Sequence, residues 1–322
     1  MAIRESLKRA DGKQKLVLML KADAYGHGLE EVANATKDIV DGFGVVSLEE
    51  GLKTRKIACK TPILVNVVHP CELKTAFGYG LTVGLSNDLQ LAEILRLANS
   101  GEVEKGKIKV HLKVDSGMHR LGFEPFQVER VTRSLVENGI VPSGVYSHFG
   151  DHPYRQIDDF STACDVVKKY CKNAVCHIAS SHTLENPEFA FDGVRVGLAA
   201  YLCAMRVEST IIASRTVEKG EYVGYGDYKT DRRTNIAVVF GGYADGIDRE
   251  RFTSVERDGK RYKVIGVCMD TTIVDTDDDV LKIGDEVTLV CKENLPEKAK
   301  EMGTVPYTLM TAWRGRIEKI YS

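Results

Sequence analysis

The sequence predicts an α/β chain: a (β/α)8 TIM-like barrel over residues 1–204, followed by a mainly antiparallel β domain over residues 205–322. Three observations carry that expectation. Short apolar runs alternate with helix-spaced stretches as far as Tyr201. The runs are too short for ordinary helices and are bounded by polar residues, so they read as buried strands, and eight strand–helix units fit the short end of the barrel range. Beyond Tyr201 the pattern changes to longer β-branched runs separated by glycine and aspartate clusters, the mark of antiparallel pairing. An open doubly wound sheet shares the local grammar of the first part and stays open as an alternative. No Gly-x-Gly-x-x-Gly opens the first helix, which argues against a dinucleotide site.

In order, the strands expected are 15–21, 43–47, 62–68, 81–85, 107–115, 143–148, 175–180 and 194–199. Between them, Leu29–Ala33, Asp88–Leu97, Pro125–Asn138 and Ile157–Lys172 place apolar residues at helical spacing. In the second part, Val207–Val217, Thr234–Phe240, Tyr262–Val267 and Glu286–Val290 read as strands, and only Pro296–Met302 reads as helix. With 44 basic and 46 acidic residues, the net charge of −2 makes no electrostatic case for nucleic acid or an anionic membrane. No apolar run suits a membrane helix, and Met1–Arg9 lacks an apolar signal core. Eight cysteines without a Cys-x-x-Cys pair point to a reduced, cytoplasmic protein rather than a zinc ribbon, with Cys164 and Cys171 as packing residues.

The apolar run Leu16–Leu20 leads into Lys21-Ala22-Asp23-Ala24-Tyr25-Gly26-His27-Gly28. A lysine at a strand's end stands at the lip of the sheet, where α/β proteins bind ligands. By itself a lysine closing a strand before a glycine turn is commonplace. The whole octet resembles the pyridoxal-phosphate (PLP) lysine motif of the alanine racemase family, usually Lys-Ala-Asn-Ala-Tyr-Gly-His-Gly, with Asp23 in place of the asparagine. Further stretches resemble that family in its order: Lys113-Val114-Asp115-Ser116-Gly117-Met118-His119-Arg120-Leu121-Gly122, Ser147-His148-Phe149, His177-Ile178-Ala179-Ser180-Ser181 and Arg195-Val196-Gly197-Leu198 at barrel strand ends. In the second part they are Val223-Gly224-Tyr225-Gly226, Gly242-Tyr243-Ala244-Asp245-Gly246, Val267-Cys268-Met269-Asp270 and Thr304-Val305-Pro306-Tyr307. The resemblance spans nearly the whole chain and implies a barrel plus β domain of PLP fold type III.

It further implies roles. Lys21 would carry PLP covalently and then serve as one base, since a desolvated lysine sheds its proton. Tyr25, Ser181, Gly197, Leu198 and Tyr307 would bind the phosphate; Ser181 alone could equally be a strand-end cap. Arg195 would face the pyridine nitrogen and, staying protonated, hand it no proton. His177 would orient Arg195, although alone it reads as a core histidine. Tyr225 would be the second base, acting from the partner subunit of a homodimer, with His148 and Arg195 as positive neighbours; alone it reads as a turn aromatic. Arg120 would lie near the PLP phenolic oxygen and the substrate carboxylate, with Met269 and Asp270 at the substrate entrance. Lys113 is either the carbamylated lysine the family often carries or an unmodified amine paired with Asp or Glu.

Two departures stand out. Family members usually open with Glu-x-Asp-Leu and a helix, whereas only residues 1–15 precede Leu16, and the tail after Tyr307 is short. An uncovered edge in the second domain's sheet is therefore expected. His119 is similar to its counterpart in the serine/alanine racemase domains of vancomycin-resistance systems. The reading is a cytoplasmic, PLP-dependent alanine racemase that supplies D-alanine for peptidoglycan. The alternatives are a racemase of serine or a basic amino acid, or a non-catalytic PLP-binding protein. No metal, nucleic acid or membrane partner is expected.

Overall fold

The computed structural model describes residues 14–184, 186–189, 191–226 and 228–321. Met1–Arg9, read above for a signal core, lies outside the described residues. The chain divides into two compact units: one runs to Ala24 and resumes over Gly28–Ala200, and the other comprises Tyr25–His27 and the chain from Tyr201 onward.

The first unit is an eight-stranded parallel sheet. Its strands are β1 (Lys15–Met19), β2 (Gly42–Val45), β3 (Ile63–Val65), β4 (Thr82–Leu85), β5 (Lys109–Lys113), β6 (Gly144–Tyr146), β7 (Val175–His177) and β8 (Gly193–Val196). Each is shorter than its apolar run, because pairing stops before hydrophobicity does. Consecutive strands pair from β1 to β7, and β8 returns beside β1. A parallel bridge from Ser180 to Arg195 joins the end of β7 to β8 and completes the ring. That arrangement excludes the open doubly wound alternative.

The intervening helices are α1 (Leu29–Thr36), α2 (Leu48–Ile57), α3 (Leu73–Gly78), α4 (Asp88–Asn99), α5 (Val128–Glu137) and α6 (Pro153–Tyr170). Local chemistry sets their starts. Ser47 and Glu50 form a reciprocal capping box ahead of α2, and the Asn87 side chain accepts the Gln90 amide to start α4. Pro153 occupies the first turn of α6, where its missing N–H costs nothing. Buried Val128, Val131 and Leu135 form the inner stripe of α5.

The second unit is a closed antiparallel barrel in the ring order β10-β13-β12-β11-β14-β9. These strands are β9 (Val207–Val217), β10 (Thr234–Phe240), β11 (Ser254–Arg257), β12 (Lys260–Val267), β13 (Thr271–Asp277) and β14 (Glu286–Val290). The uncovered edge expected from the sequence is not found: the long β9 pairs with both β10 and β14, so the described strands close on themselves. β11 and β13 were not anticipated. Neither was a second helix: beside α7 (Leu295–Glu301) stands α8 (Pro306–Ala312). α8 is under two turns long and opens on Val305-Pro306, too short for a periodic signal.

Candidate active site

The octet Lys21–Gly28 begins where β1 ends and makes a turn of unusual hand. Ala22, Asp23, Ala24 and Tyr25 all have φ between 52° and 56°, a left-handed helical turn built without glycine. Such residues cost on the order of 1–2 kcal/mol each, so surrounding bonds must hold them. Glu50 supplies one, its carboxylate accepting the Ala22 amide at 2.8 Å while also accepting the Val46 amide at 2.8 Å, which ties the turn to the end of β2. Asp23 Oδ1 accepts the Leu29 amide at 2.7 Å at the start of α1. An asparagine oxygen would make the same bond, so the one departure from the family octet keeps the geometry and adds charge complementary to the helix N-terminus.

Lys21 is half-buried, and its amine is pushed toward the neutral form, first by burial and then by the charges of Arg120 and Arg195, with Glu50 opposing. Arg195 lies on β8 and is 6% exposed. Its Nη1 donates to His177 Nδ1 at 2.6 Å and to the His177 carbonyl at 2.9 Å, and Nη2 donates to the carbonyls of Ser147 and Ile178. The expected orientation of Arg195 by His177 is thus present as a direct hydrogen bond. Nε–H takes no bond among the described residues.

Lys113 is buried on β5, and its nearest bond is a long one, 3.4 Å, to the Val114 carbonyl. No ion pair to Asp or Glu is present among the described residues, so the unmodified, carboxylate-paired form is not found. Burial, then Arg195 and Arg120, push the Lys113 amine down to about 7. His148 follows Ser147, which is held by its hydroxyl donating to the Val114 carbonyl at 2.8 Å. Burial and the cations Arg195, Arg120, Lys113 and Lys21 push His148 down to about 3. The sequence reading of His148 as a positive neighbour is therefore corrected: at neutral pH it is uncharged, and the positive charge belongs to the arginines.

Ser181 Oγ accepts the backbone amides of Gly197 and Ala199 at 3.1 and 3.2 Å. Two amides and a hydroxyl converging in this way suit an oxyanion. Leu198 lies between these two residues in the chain.

In the second unit, Tyr25 and Tyr307 lie with ring centroids 5.9 Å apart, and Tyr25 stacks on Tyr201 at 5.0 Å. Burial raises the Tyr25 phenol to about 12, so it is a proton donor rather than an anion. Gly26 is required here: at φ 84°, a Cβ would sit 2.2 Å from the Met310 carbonyl oxygen. Met269 and Asp270 form the tip of the β12–β13 hairpin, closed by the Cys268 amide donating to the Thr271 carbonyl at 2.8 Å. Arg316, which the sequence reading missed, binds Asp270 at 2.8 Å while its other two nitrogens fork onto the buried Asp245. Tyr225 is 79% exposed, and its hydroxyl has no hydrogen bond among the described residues.

The structure thus gathers Lys21, Arg120, Lys113, His148 and Arg195 within reach of one another's charge in the first unit, and Ser181 with Gly197 beside β8. It gathers Tyr25 with Tyr307, and Met269 with Asp270, in the second. Glu50 was also missed, although the Ser47-x-x-Glu50 spacing announces its cap.

The family model for the N-terminal domain of alanine racemase matches residues 2–204, and that for the C-terminal domain matches residues 204–321. An alanine racemase of Thermodesulfovibrio yellowstonii is 33% identical over 99% of this chain and 93% of its own length. One of Neisseria meningitidis is 33% identical over 92% of this chain and 89% of its own. Among solved structures, alanine racemase from Streptomyces coelicolor superimposes with a TM-score of 0.90 at 26% identity, covering 99% of this chain and 94% of that one. The biosynthetic alanine racemase from Pseudomonas aeruginosa gives 0.88 at 28% identity, over 100% and 97%.

Proposed function

The chain belongs to the alanine racemase family and is an isomerase of that family, and on that premise we propose that it interconverts L- and D-alanine with PLP, using Lys21 and Tyr225 of the partner subunit as bases on opposite faces of the substrate. The observation that carries this is Arg195. Both of its terminal nitrogens are tied to protein acceptors while Nε–H has none among the described residues. An arginine so held, in place of a carboxylate, suits a pyridine nitrogen that is to stay unprotonated. In this reading Lys21 holds the cofactor covalently and Arg195 meets its ring nitrogen, with His148 beside the ring. Ser181, Gly197, Leu198, Tyr25 and Tyr307 meet its phosphate. Arg120 takes the substrate carboxylate, and Met269 and Asp270 border the entrance.

When bound, PLP supplies the electron sink that lets the α-hydrogen leave as a proton. Arg195 moderates that sink by withholding a proton from the ring. Lys21, pushed toward its neutral amine, accepts the α-proton on one face. Tyr225 works on the other. A phenol acting as a base needs positive charge beside it to favour phenolate, and with His148 neutral that falls to the arginines. A carbamate on Lys113 belongs to the same proposal: the amine adds CO2 and releases a proton, and the new anion would feel the charges of Arg195 and Arg120. A cytoplasmic homodimer supplying D-alanine to peptidoglycan completes it, in keeping with eight free cysteines.

The test incubates the PLP-loaded protein in D2O with a panel of L-amino acids. D-Alanine carrying α-deuterium is expected. Exchange confined to serine or basic amino acids would change the substrate, and no exchange at all would leave a PLP-binding protein without catalysis.

A further inference from the structure

Beneath Arg195 lies a layer of rings that the proposed mechanism does not use. β5, β6 and β7 align Lys113 with Tyr146 and Tyr146 with His177, and His111 lies two residues before Lys113 on the same strand face. The Tyr146 ring stacks on His177 at 5.3 Å with 6° between planes, and Arg195 lies 5.3 Å over the same ring. His111 Nδ1 is 2.9 Å from His177 Nε2, with the two rings edge to face. The layer has room because two neighbouring strands carry glycine. A Cβ on Gly144 would stand 2.7 Å from His111 Cε1, and one on Gly84 would stand 2.2 Å from the Tyr146 hydroxyl.

The direction of the chain follows from donor chemistry. A guanidinium offers only N–H groups. His177 Nδ1, 2.6 Å from Arg195 Nη1, must therefore be the bare nitrogen. A neutral imidazole then carries its proton on Nε2, which donates to His111 Nδ1. His111 Nδ1 must in turn be bare, and its own proton sits on Nε2. Protonating either ring would set N–H against N–H beside a buried cation. Burial and the Arg195 charge push His177 well down and His111 to about 4, in agreement.

We propose that His111 is a positioning residue: by accepting the His177 Nε2–H it fixes the tautomer that leaves His177 Nδ1 open to Arg195, and so holds the guanidinium with Nε–H directed to the cofactor ring. The last clause rests on the proposed PLP site; the tautomer chain does not.

The test is imidazole NMR of the full-length, PLP-loaded protein labelled with 15N-histidine, at neutral pH, with His111→Asn used for assignment. Both His111 and His177 should be neutral with the proton on Nε2. An Nδ1–H tautomer or an imidazolium at either position overturns the proposal, whether or not the protein racemises alanine. Two variants give the functional arm. Asparagine presents an oxygen near the place of Nδ1; phenylalanine fills the space without an acceptor. His111→Phe should lower kcat about 10-fold or more, the range for removing a partner that orients a site ligand, with KM for alanine little changed and the His177 Nε2–H signal lost. His111→Asn should restore most of kcat and that signal. Equal losses in both variants, or an unchanged kcat in His111→Phe, would reduce His111 to filling. If His111→Phe does not fold, the tautomers of the unaltered protein decide.

Discussion

Arg195 shows how much one buried side chain is asked to do. It remains charged, although burial lowers it to about 10, and it satisfies His177 and two carbonyls besides. Lysine keeps the charge but not the fork. Arg195→Lys should leave a buried acceptor unpaired, at about 1–3 kcal/mol, and lower kcat roughly 100-fold; urea unfolding and a steady-state assay check the two. Burial first, and the same cation second, keep three histidines uncharged. His111, His148 and His177 are all depressed, the first two to about 4 and about 3. Between about pH 6.5 and pH 4 the unfolded chain binds protons at these sites that the folded chain refuses. Stability should therefore fall as pH drops through that window. The urea midpoint should be clearly lower at pH 5 than at pH 7, and an unchanged midpoint would show the histidines charged in the fold.

At the scale of elements, the left-handed turn after β1 is the feature that sequence pattern does not reveal. Periodicity places the strand and the following helix, but Ala22 and Asp23 carry no sign of positive φ, because tertiary bonds to Glu50 and Leu29 impose it. Ala22→Gly should therefore be neutral or stabilising by up to about 1 kcal/mol, against the usual penalty for glycine, since relief of αL strain offsets the greater freedom of the unfolded chain. A loss above about 1 kcal/mol in urea unfolding would contradict the turn. Lys21, Arg195 and Ser181 stood out because each sits in a contiguous run that resembles a motif of the family. The pairing of His111 with His177, and of Asp270 with Arg316, did not. Each pair joins distant segments, and only barrel closure or hairpin packing brings its members together.

At the scale of the whole molecule, the two-part architecture was readable because the hydrophobic pattern changes at Tyr201, while closure of the second sheet depends on β9 pairing on both edges, which pattern alone does not specify. Tyr225 is exposed on the second unit, and the proposal brings it to Lys21 across a two-fold axis. Mixing Lys21→Ala with Tyr225→Phe, each inactive alone, tests this. A mixed dimer has one site with both defects and one with neither. With random mixing making about half the dimers mixed, activity should return to roughly a quarter of wild type. No recovery would mean that each site draws both bases from one chain. All of this presupposes that Lys21 carries the cofactor, and one measurement addresses that directly: borohydride reduction of the PLP-loaded protein followed by peptide mass mapping. The account predicts the pyridoxyl group on Lys21; its appearance on another lysine, or on none, would contradict it.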